Sequence, residues 1–348
     1  MRARGTSGNP PNRFEPLRSE PTPEESAELE QQSPATQLLA DPSRTIVATN
    51  ESPDVGFDAS VNPYRGCEHA CAYCYARPTH EYLGFSAGLD FETRILVKER
   101  APELLHQRLS AKSWKPQVVA LSGVTDPYQP AERRLELTRR CLEVLADFRN
   151  PVSIITKGFL VTRDVDVLGE LARFDAASVA VSITTLDAEL QRRMEPFASP
   201  PGKRLLAIER LAAAGVPVGV LVAPVVPGLT DHESPKILEA AATAGACFAG
   251  RVVLRLPHGV AELFDQWLAR HYPERREKVL ARLRSLRGGR LYDSRFGVRQ
   301  RGTGVWADEM AALFELGRRR AGIAERGPTL SVAHFRRPAA AGAQLQLL

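Results

Sequence analysis

Cysteine is scarce in this 348-residue chain, five in all, and three of the five fall in one short stretch. That count excludes the disulfide frameworks that staple small secreted domains. Long hydrophobic runs are also lacking. None approaches the roughly 20 residues that span a bilayer, which sets a membrane-crossing helix aside. The first residues, Met1-Arg2-Ala3-Arg4-Gly5-Thr6-Ser7-Gly8, are polar and have no apolar stretch of the kind that marks a secretory signal. The protein is therefore expected in the cytoplasm, without a membrane, in a reducing compartment where thiols stay free to hold metal. No internal repeat of fixed period is apparent, which argues against solenoid and propeller architectures. Charge of one sign is not dominant either. Forty-six basic residues against 41 acidic ones leave +5, which permits a polyanionic partner without demanding one.

What remains is an ordinary soluble composition, 43% hydrophobic and 25% charged, with length enough for a full core. Residues 1–45 show no periodic apolar pattern. They hold seven prolines and a Glu/Gln/Ser-rich run from Glu24 to Ser33. Such a segment buries too little surface to offset its ordering entropy, so it is expected as a disordered N-terminal tail. A core follows over 46–272, then a helical and Gly/Arg-rich extension over 273–327, and a flexible tail over 328–348.

Inside the core, apolar β-branched runs alternate with amphipathic stretches. Strands are expected near 57–61 and over 118–122, 152–156, 178–183, 218–223 and 252–256. Helices are expected over 131–148, 163–174, 203–214, 232–244 and 261–272, two of them closed by Gly215 and Gly245. Repeated strand–helix units with fully apolar strands imply a parallel sheet covered by helices. Six such units favour a partial (β/α)6 barrel, with an open doubly wound sheet as the alternative. In barrels the chemistry lies on the loops at the C-terminal strand ends, and polar residues recur there in this sequence.

The first of those loops reads Asn62-Pro63-Tyr64-Arg65-Gly66-Cys67-Glu68-His69-Ala70-Cys71-Ala72-Tyr73-Cys74-Tyr75. Cys67, Cys71 and Cys74 are close enough in sequence to converge on one metal centre. Structural zinc takes four protein ligands, and His69 or His80 would have to complete such a site. A [4Fe–4S] cluster held by three thiolates leaves one iron open to an outside ligand. Cys141 and Cys247 lie in apolar helical contexts and read as core or near-core residues.

The x3, x2 cysteine spacing, with Tyr73 before the last cysteine, resembles the radical S-adenosylmethionine (SAM) superfamily. That resemblance implies a [4Fe–4S] cluster on the three cysteines and SAM chelating the open iron, with reductive cleavage to methionine and a 5′-deoxyadenosyl radical that abstracts hydrogen from a substrate. A bound SAM needs an acceptor for its ammonium, donors for its carboxylate and ribose, and a flat surface for adenine. Thr125 or Asp126 suits the first role, Lys157 and Ser182 the second, and Tyr73 with the backbone near Val222 the third. Read singly, Asp126 is equally a turn or cap residue, Lys157 a surface residue and Ser182 a strand-end hydroxyl. The segments Asn62-Pro63-Tyr64-Arg65-Gly66-Cys67, Cys74-Tyr75-Ala76-Arg77, Thr125-Asp126-Pro127-Tyr128-Gln129-Pro130, Thr156-Lys157-Gly158 and Pro227-Gly228-Leu229-Thr230-Asp231 narrow the resemblance. They are similar to the spore photoproduct lyase-related proteins and their bacterial homologues of unassigned function, over about residues 46–321. In that comparison Tyr73 falls on the adenine-packing position and Tyr75 on the radical-relay position, while Thr125, Lys157 and Ser182 fall on the SAM-lining hydroxyl, lysine and serine.

The lyases carry a hydrogen-donating cysteine two residues before that hydroxyl, and this chain has Gly123 there. The resemblance thus carries the cofactor chemistry and not the lesion-repair substrate. An enzyme of this class implies an electron donor such as a flavodoxin or ferredoxin. Nucleic acid is a possible partner, because 282–301 holds seven arginines against one acid, with Tyr292 and Phe296 interleaved and Trp306 just beyond. The same segment also reads as a helix face and a Gly-rich loop that cap the open barrel, or as a site for another anionic substrate. The competing readings are a nucleic-acid lesion-repair enzyme related to the spore photoproduct lyases, and a non-catalytic iron–sulfur or zinc protein that senses redox state or binds nucleic acid.

Overall fold

The structure, a computed structural model, describes residues 4–15 and 34–338. In chain order its strands are β1 (Gln37–Ala40), β2 (Val47–Thr49), β3 (Ala59–Val61), β4 (Tyr64–Arg65) and β5 (Arg94–Val97). They are followed by β6 (Val119–Leu121), β7 (Val152–Thr156), β8 (Ala177–Ser182), β9 (Val218–Val225) and β10 (Phe248–Val253). Six strands, β3-β6-β7-β8-β9-β10, run parallel side by side, and β2 adds an antiparallel edge against β3. The expected parallel (β/α)6 partial barrel is the observed fold. A small separate sheet, β1-β5-β4, was not legible in the sequence.

Period-2 alternation explains how the barrel is filled. Val61, Val119, Leu121, Val152, Ile154, Val179, Val181, Val220 and Val222 join one core with Leu105, Leu142, Leu145, Leu168, Ile208 and Ile237 from the covering helices. The alternate strand positions Ser60, Ala120, Ser153 and Ala180 carry small side chains.

Several element bounds differ from expectation for identifiable reasons. The 131–148 helix is two helices, Glu132–Leu135 and Leu137–Phe148, broken at Glu136 with φ 52°. The Glu132 carboxylate accepts from the backbone N–H groups of Thr138 (3.0 Å) and Arg139 (3.3 Å), and so starts the second helix itself. The last strand spans Phe248–Val253 rather than 252–256, and its register against β9 shifts between Arg251 and Val253. Cys141 is buried as expected, but Cys247 is exposed, at the start of the sheet's outermost strand.

The tails also depart from expectation where they are described. β1 pairs in parallel with β5. Residues 4–15 lie against the segment that follows the cysteine loop: Gly5 N and Thr6 Oγ1 each donate to Glu92 at 3.0 Å, and Arg13 pairs with Glu81 at 2.7 Å. At the other end Ser331 N donates to Asp175 O (2.8 Å), Arg336 N to Phe148 O (2.9 Å), and Phe335 joins the core. Low hydrophobicity does not prevent docking where a few backbone groups find buried partners. Residues 16–33 and 339–348 lie outside the described residues.

Because Glu92 is fully buried and takes two of its hydrogen bonds from residues 5 and 6, deleting residues 1–15 should destabilise the protein by on the order of 2 kcal/mol or more. A loose tail would leave the denaturation midpoint unchanged, so equilibrium unfolding of the truncated chain distinguishes the two.

Candidate active site

The cysteine loop runs between β4 and the 3₁₀ helix Arg77–Leu83. Its first turn needs Gly66, which has φ +85° and whose Cβ would lie 2.9–3.0 Å from His80, Ile95 and Phe91. Gln129 clamps the loop from the β6 end, accepting from Glu68 N (2.9 Å) and donating to Gly66 O (3.2 Å). Arg77, fully buried, reaches back with two N–H groups to Cys71 O (3.0 and 2.7 Å). Ala72 N bonds Met194 O, and Phe197 N bonds His69 O, so the segment after β8 holds the other side.

The three thiols are free and almost enclosed. Burial pushes the Cys67, Cys71 and Cys74 thiols above the ordinary range, and for Cys67 the Asp126 charge and the two neighbouring cysteines push in the same direction. They are therefore close enough to interact electrostatically, and a metal that binds them must displace their protons. Among the described residues no group of three or more His, Cys, Asp or Glu side chains is arranged to hold a single metal ion. His69 faces Asp126 (3.3 Å) and His80 faces Arg94 O (2.9 Å), so neither completes a zinc site as placed. A three-thiol set without a fourth ligand fits an iron–sulfur cluster.

The strand ends assemble beside this loop. Asp126 is the organiser of the β6 and β7 ends. One oxygen accepts from Thr156 Oγ1 (2.6 Å) and Tyr128 N (2.9 Å), the other from Lys157 N (2.7 Å), with His69 alongside. Burial alone would raise its pKa, but His69 alongside and these hydrogen bonds outweigh burial and hold it at about 2. Thr125 Oγ1 donates to Tyr64 O at 2.8 Å and keeps its acceptor lone pairs. Lys157 Nζ donates to Ser182 Oγ (3.0 Å), which donates to Ala223 O (2.9 Å). Lys157 Nζ also lies 5.9 Å from the Tyr73 ring centre. Thr125, Asp126, Lys157, Ser182 and Tyr73 are thus brought to one end of the barrel with the cysteines. Tyr75 is 45% exposed, with its hydroxyl 3.3 Å from Gly123 O and the Arg255 guanidinium 4.4 Å from its ring centre.

One residue escaped the sequence reading. Glu195 is fully buried and bonds Tyr73 Oη, Thr184 Oγ1 (2.7 Å) and the Arg204 guanidinium. Burial would raise its pKa, yet the charges of Arg204 and Lys157 and the bonds from Arg204 and Tyr73 bring it to about 2. It fixes the Tyr73 ring and faces Lys157 with a counter-charge. The sequence signal is thin, an acid before Pro196 and an arginine nine residues on. Gly123 has a local reason as well: a Cβ there would sit 2.9 Å from Ser60 Cβ.

An incomplete parallel barrel with thiols, a lysine and hydroxyls gathered at its C-terminal strand ends is the architecture of a barrel enzyme. The chain belongs to the radical SAM superfamily, whose family model matches residues 61–241. An uncharacterised protein of Mycobacterium tuberculosis is 43% identical over 232 residues, covering 65% of this chain and 68% of that one. An uncharacterised protein of Methanocaldococcus jannaschii is 32% identical over 174 residues, covering 50% and 62%. In structure the chain is similar to a spore photoproduct lyase variant with bound S-adenosylmethionine and dinucleoside spore photoproduct. That match has TM-score 0.60 and 15% identity, covering 83% of this chain and 80% of the lyase, a likeness of fold. The family implies a [4Fe–4S] cluster and SAM. No helix among the described residues is long and apolar enough to cross a membrane.

The low Glu195 pKa has a definite consequence for pH. Its folded pKa lies below the ordinary 4.5, so its stabilisation is complete above the unfolded pKa and is lost as pH falls toward 2, about 3 kcal/mol in all. Glu195→Gln should lower stability at pH 7, because Arg204 is left buried without its counter-charge. The same variant should flatten the pH dependence between about pH 5 and pH 2. Acid unfolding followed by circular dichroism checks both.

Proposed function

We propose that this protein is a radical SAM enzyme whose cluster is held by Cys67, Cys71 and Cys74. When bound, the cluster and SAM supply one-electron cleavage of the sulfonium and a 5′-deoxyadenosyl radical for hydrogen abstraction. The observation that carries the reading is the meeting of three free thiols with the Lys157–Ser182 pair and the Tyr73 ring at one end of a partial barrel. Lys157 Nζ and Ser182 Oγ offer donors for a carboxylate or a ribose. Tyr73, its hydroxyl held by Glu195, offers a fixed ring face for adenine. For the ammonium group Thr125 is the better acceptor of the two candidates. Asp126 spends its oxygens on Thr156, Tyr128 and Lys157, so its part is to hold the pocket in shape. An external one-electron donor such as a flavodoxin or ferredoxin completes the reading. Gly123 has no side chain to donate a hydrogen atom, so thymine-lesion repair through a hydrogen-donating cysteine at that position is not part of the reading.

Tyr75 holds a transferable hydrogen on Oη, directly after the third cysteine and partly open to solvent. We assign it as the relay between substrate and cofactor. Tyr75→Phe should spare iron content and SAM binding and lower substrate turnover far more than uncoupled 5′-deoxyadenosine formation. Unchanged turnover in that variant would remove the assignment.

The reading is tested on anaerobically purified protein. It should hold about four irons per chain and, when reduced, convert SAM to 5′-deoxyadenosine. Alanine at any one of Cys67, Cys71 or Cys74 should abolish both, whereas Cys141→Ala and Cys247→Ala should keep the iron. Lys157→Ala and Ser182→Ala should each weaken SAM binding about tenfold or more with iron retained. Stoichiometric zinc without iron in fresh protein would show that the metal assignment is wrong.

A further inference from the structure

The largest fully buried side chains in the protein are three arginines, Arg77, Arg204 and Arg287. Two have a carboxylate counter-ion, Glu92 for Arg77 and Glu195 for Arg204. Arg287 has none among the described residues. Among those residues its guanidinium makes one hydrogen bond, from Nη2 to Leu254 O at 2.6 Å, while Nε and Nη1 are enclosed without a partner. Asp293 is near enough for its charge to act on Arg287, but both its oxygens are taken by Arg295, at 2.6–3.1 Å. A second cation, Arg255, lies close enough to repel Arg287; the charge of Asp54 reaches it, but among the described residues it has no carboxylate within ion-pair distance. The third cation of the neighbourhood, Arg299, is neutralised by Asp54.

A buried guanidinium with two idle donors, next to a second cation, is costly unless an anion joins them. An enclosed water satisfies a hydrogen bond but brings no charge to offset two cations. The place is also suggestive. Leu254 and Arg255 follow β10 directly, at the C-terminal end of the parallel strands where the cysteine loop lies, and Arg255 stacks on the ring of Tyr75. We infer that Arg287 and Arg255 form an oxyanion site beside Tyr75 that takes a phosphate or carboxylate group of the substrate. The planar forks of two arginines suit such a group, since each presents parallel N–H donors to its oxygens. This inference rests on the proposed function for the word substrate, but not for the anion site itself.

Anion binding is read without the cluster chemistry, by thermal unfolding of the full chain at constant ionic strength. Inorganic phosphate and malonate should each raise the unfolding temperature in a saturable way. Arg287→Met and Arg255→Met should each weaken the apparent affinity at least tenfold, while Arg173→Gln, an exposed arginine on another face, should not change it. Tighter binding of a short single-stranded oligonucleotide than of a nucleoside monophosphate would assign the oxyanion to a phosphodiester chain, and the reverse order to a small metabolite. No saturable effect of either anion, or wild-type affinity in the arginine variants, overturns the inference. Should Arg287→Met fail to fold, the partly exposed Arg255→Met decides alone. Wild-type protein that cleaves SAM yet binds neither anion refutes this site only. Saturable binding in iron-loaded protein that never cleaves SAM refutes the functional reading and leaves the site standing.

Discussion

The cysteine loop is a polar backbone held inside the protein, and the contact on which its shape depends is the buried guanidinium of Arg77. One side chain donates to the carbonyls of Cys71, Ala87 and Gly88 and to the carboxylate of Glu92. A loop that brings three thiols together leaves carbonyls without strand partners, and buried carbonyls must be paired. Arg77 pairs them from a single rigid fork. Glu92 neutralises it and in turn gathers Gly5 and Thr6, so the start of the chain is drawn onto the loop by the same charge. Breaking such a buried pair costs roughly 3–5 kcal/mol, because the surviving partner stays buried and charged.

The same device recurs at the other side of the loop. Glu195 with Arg204 locks the Tyr73 ring, and Asp126 with its ring of donors locks the β6 and β7 ends. The protein has many exposed pairs as well, such as Arg193 with Glu189 and Arg276 with Asp265. Those are screened by solvent and do not shape the site. The buried pairs do, and they hold reactive groups in place before any cofactor arrives, which is the condition for productive orientation. Arg287 breaks the pattern: it is buried like the others but has no carboxylate partner among the described residues.

Much of this was legible in the sequence because it depends on local order. Strand–helix alternation gave six parallel strands, since each apolar β-branched run pairs wherever a neighbour is available. The three-cysteine loop was readable from its spacing, and the position of Thr125, Lys157 and Ser182 at strand ends from the strand–helix alternation. Less was readable where a distant group decides. Asp126 looked like a free acceptor because sequence does not show Thr156, Tyr128 and Lys157 converging on it. The break at Glu136 was hidden because Glu132 caps the helix that follows it. The docked stretches 4–15 and 331–338 looked like tails because their partners, Glu92, Asp175 and Phe148, are remote in the chain.

The sequence by itself determined the fold class, the three-thiol loop and the kinds of side chain at the strand ends, because period, spacing and residue chemistry are local properties. Tertiary structure alone decided which of those side chains are free to meet a ligand and which are spent on the protein. It joined Glu195 to Tyr73 across 122 positions and Glu92 to Thr6 across 86, and it left Arg287 enclosed with no counter-ion among the described residues. Burial is the physical reason. The worth of a charge depends on what surrounds it after folding, and no stretch of sequence carries that information.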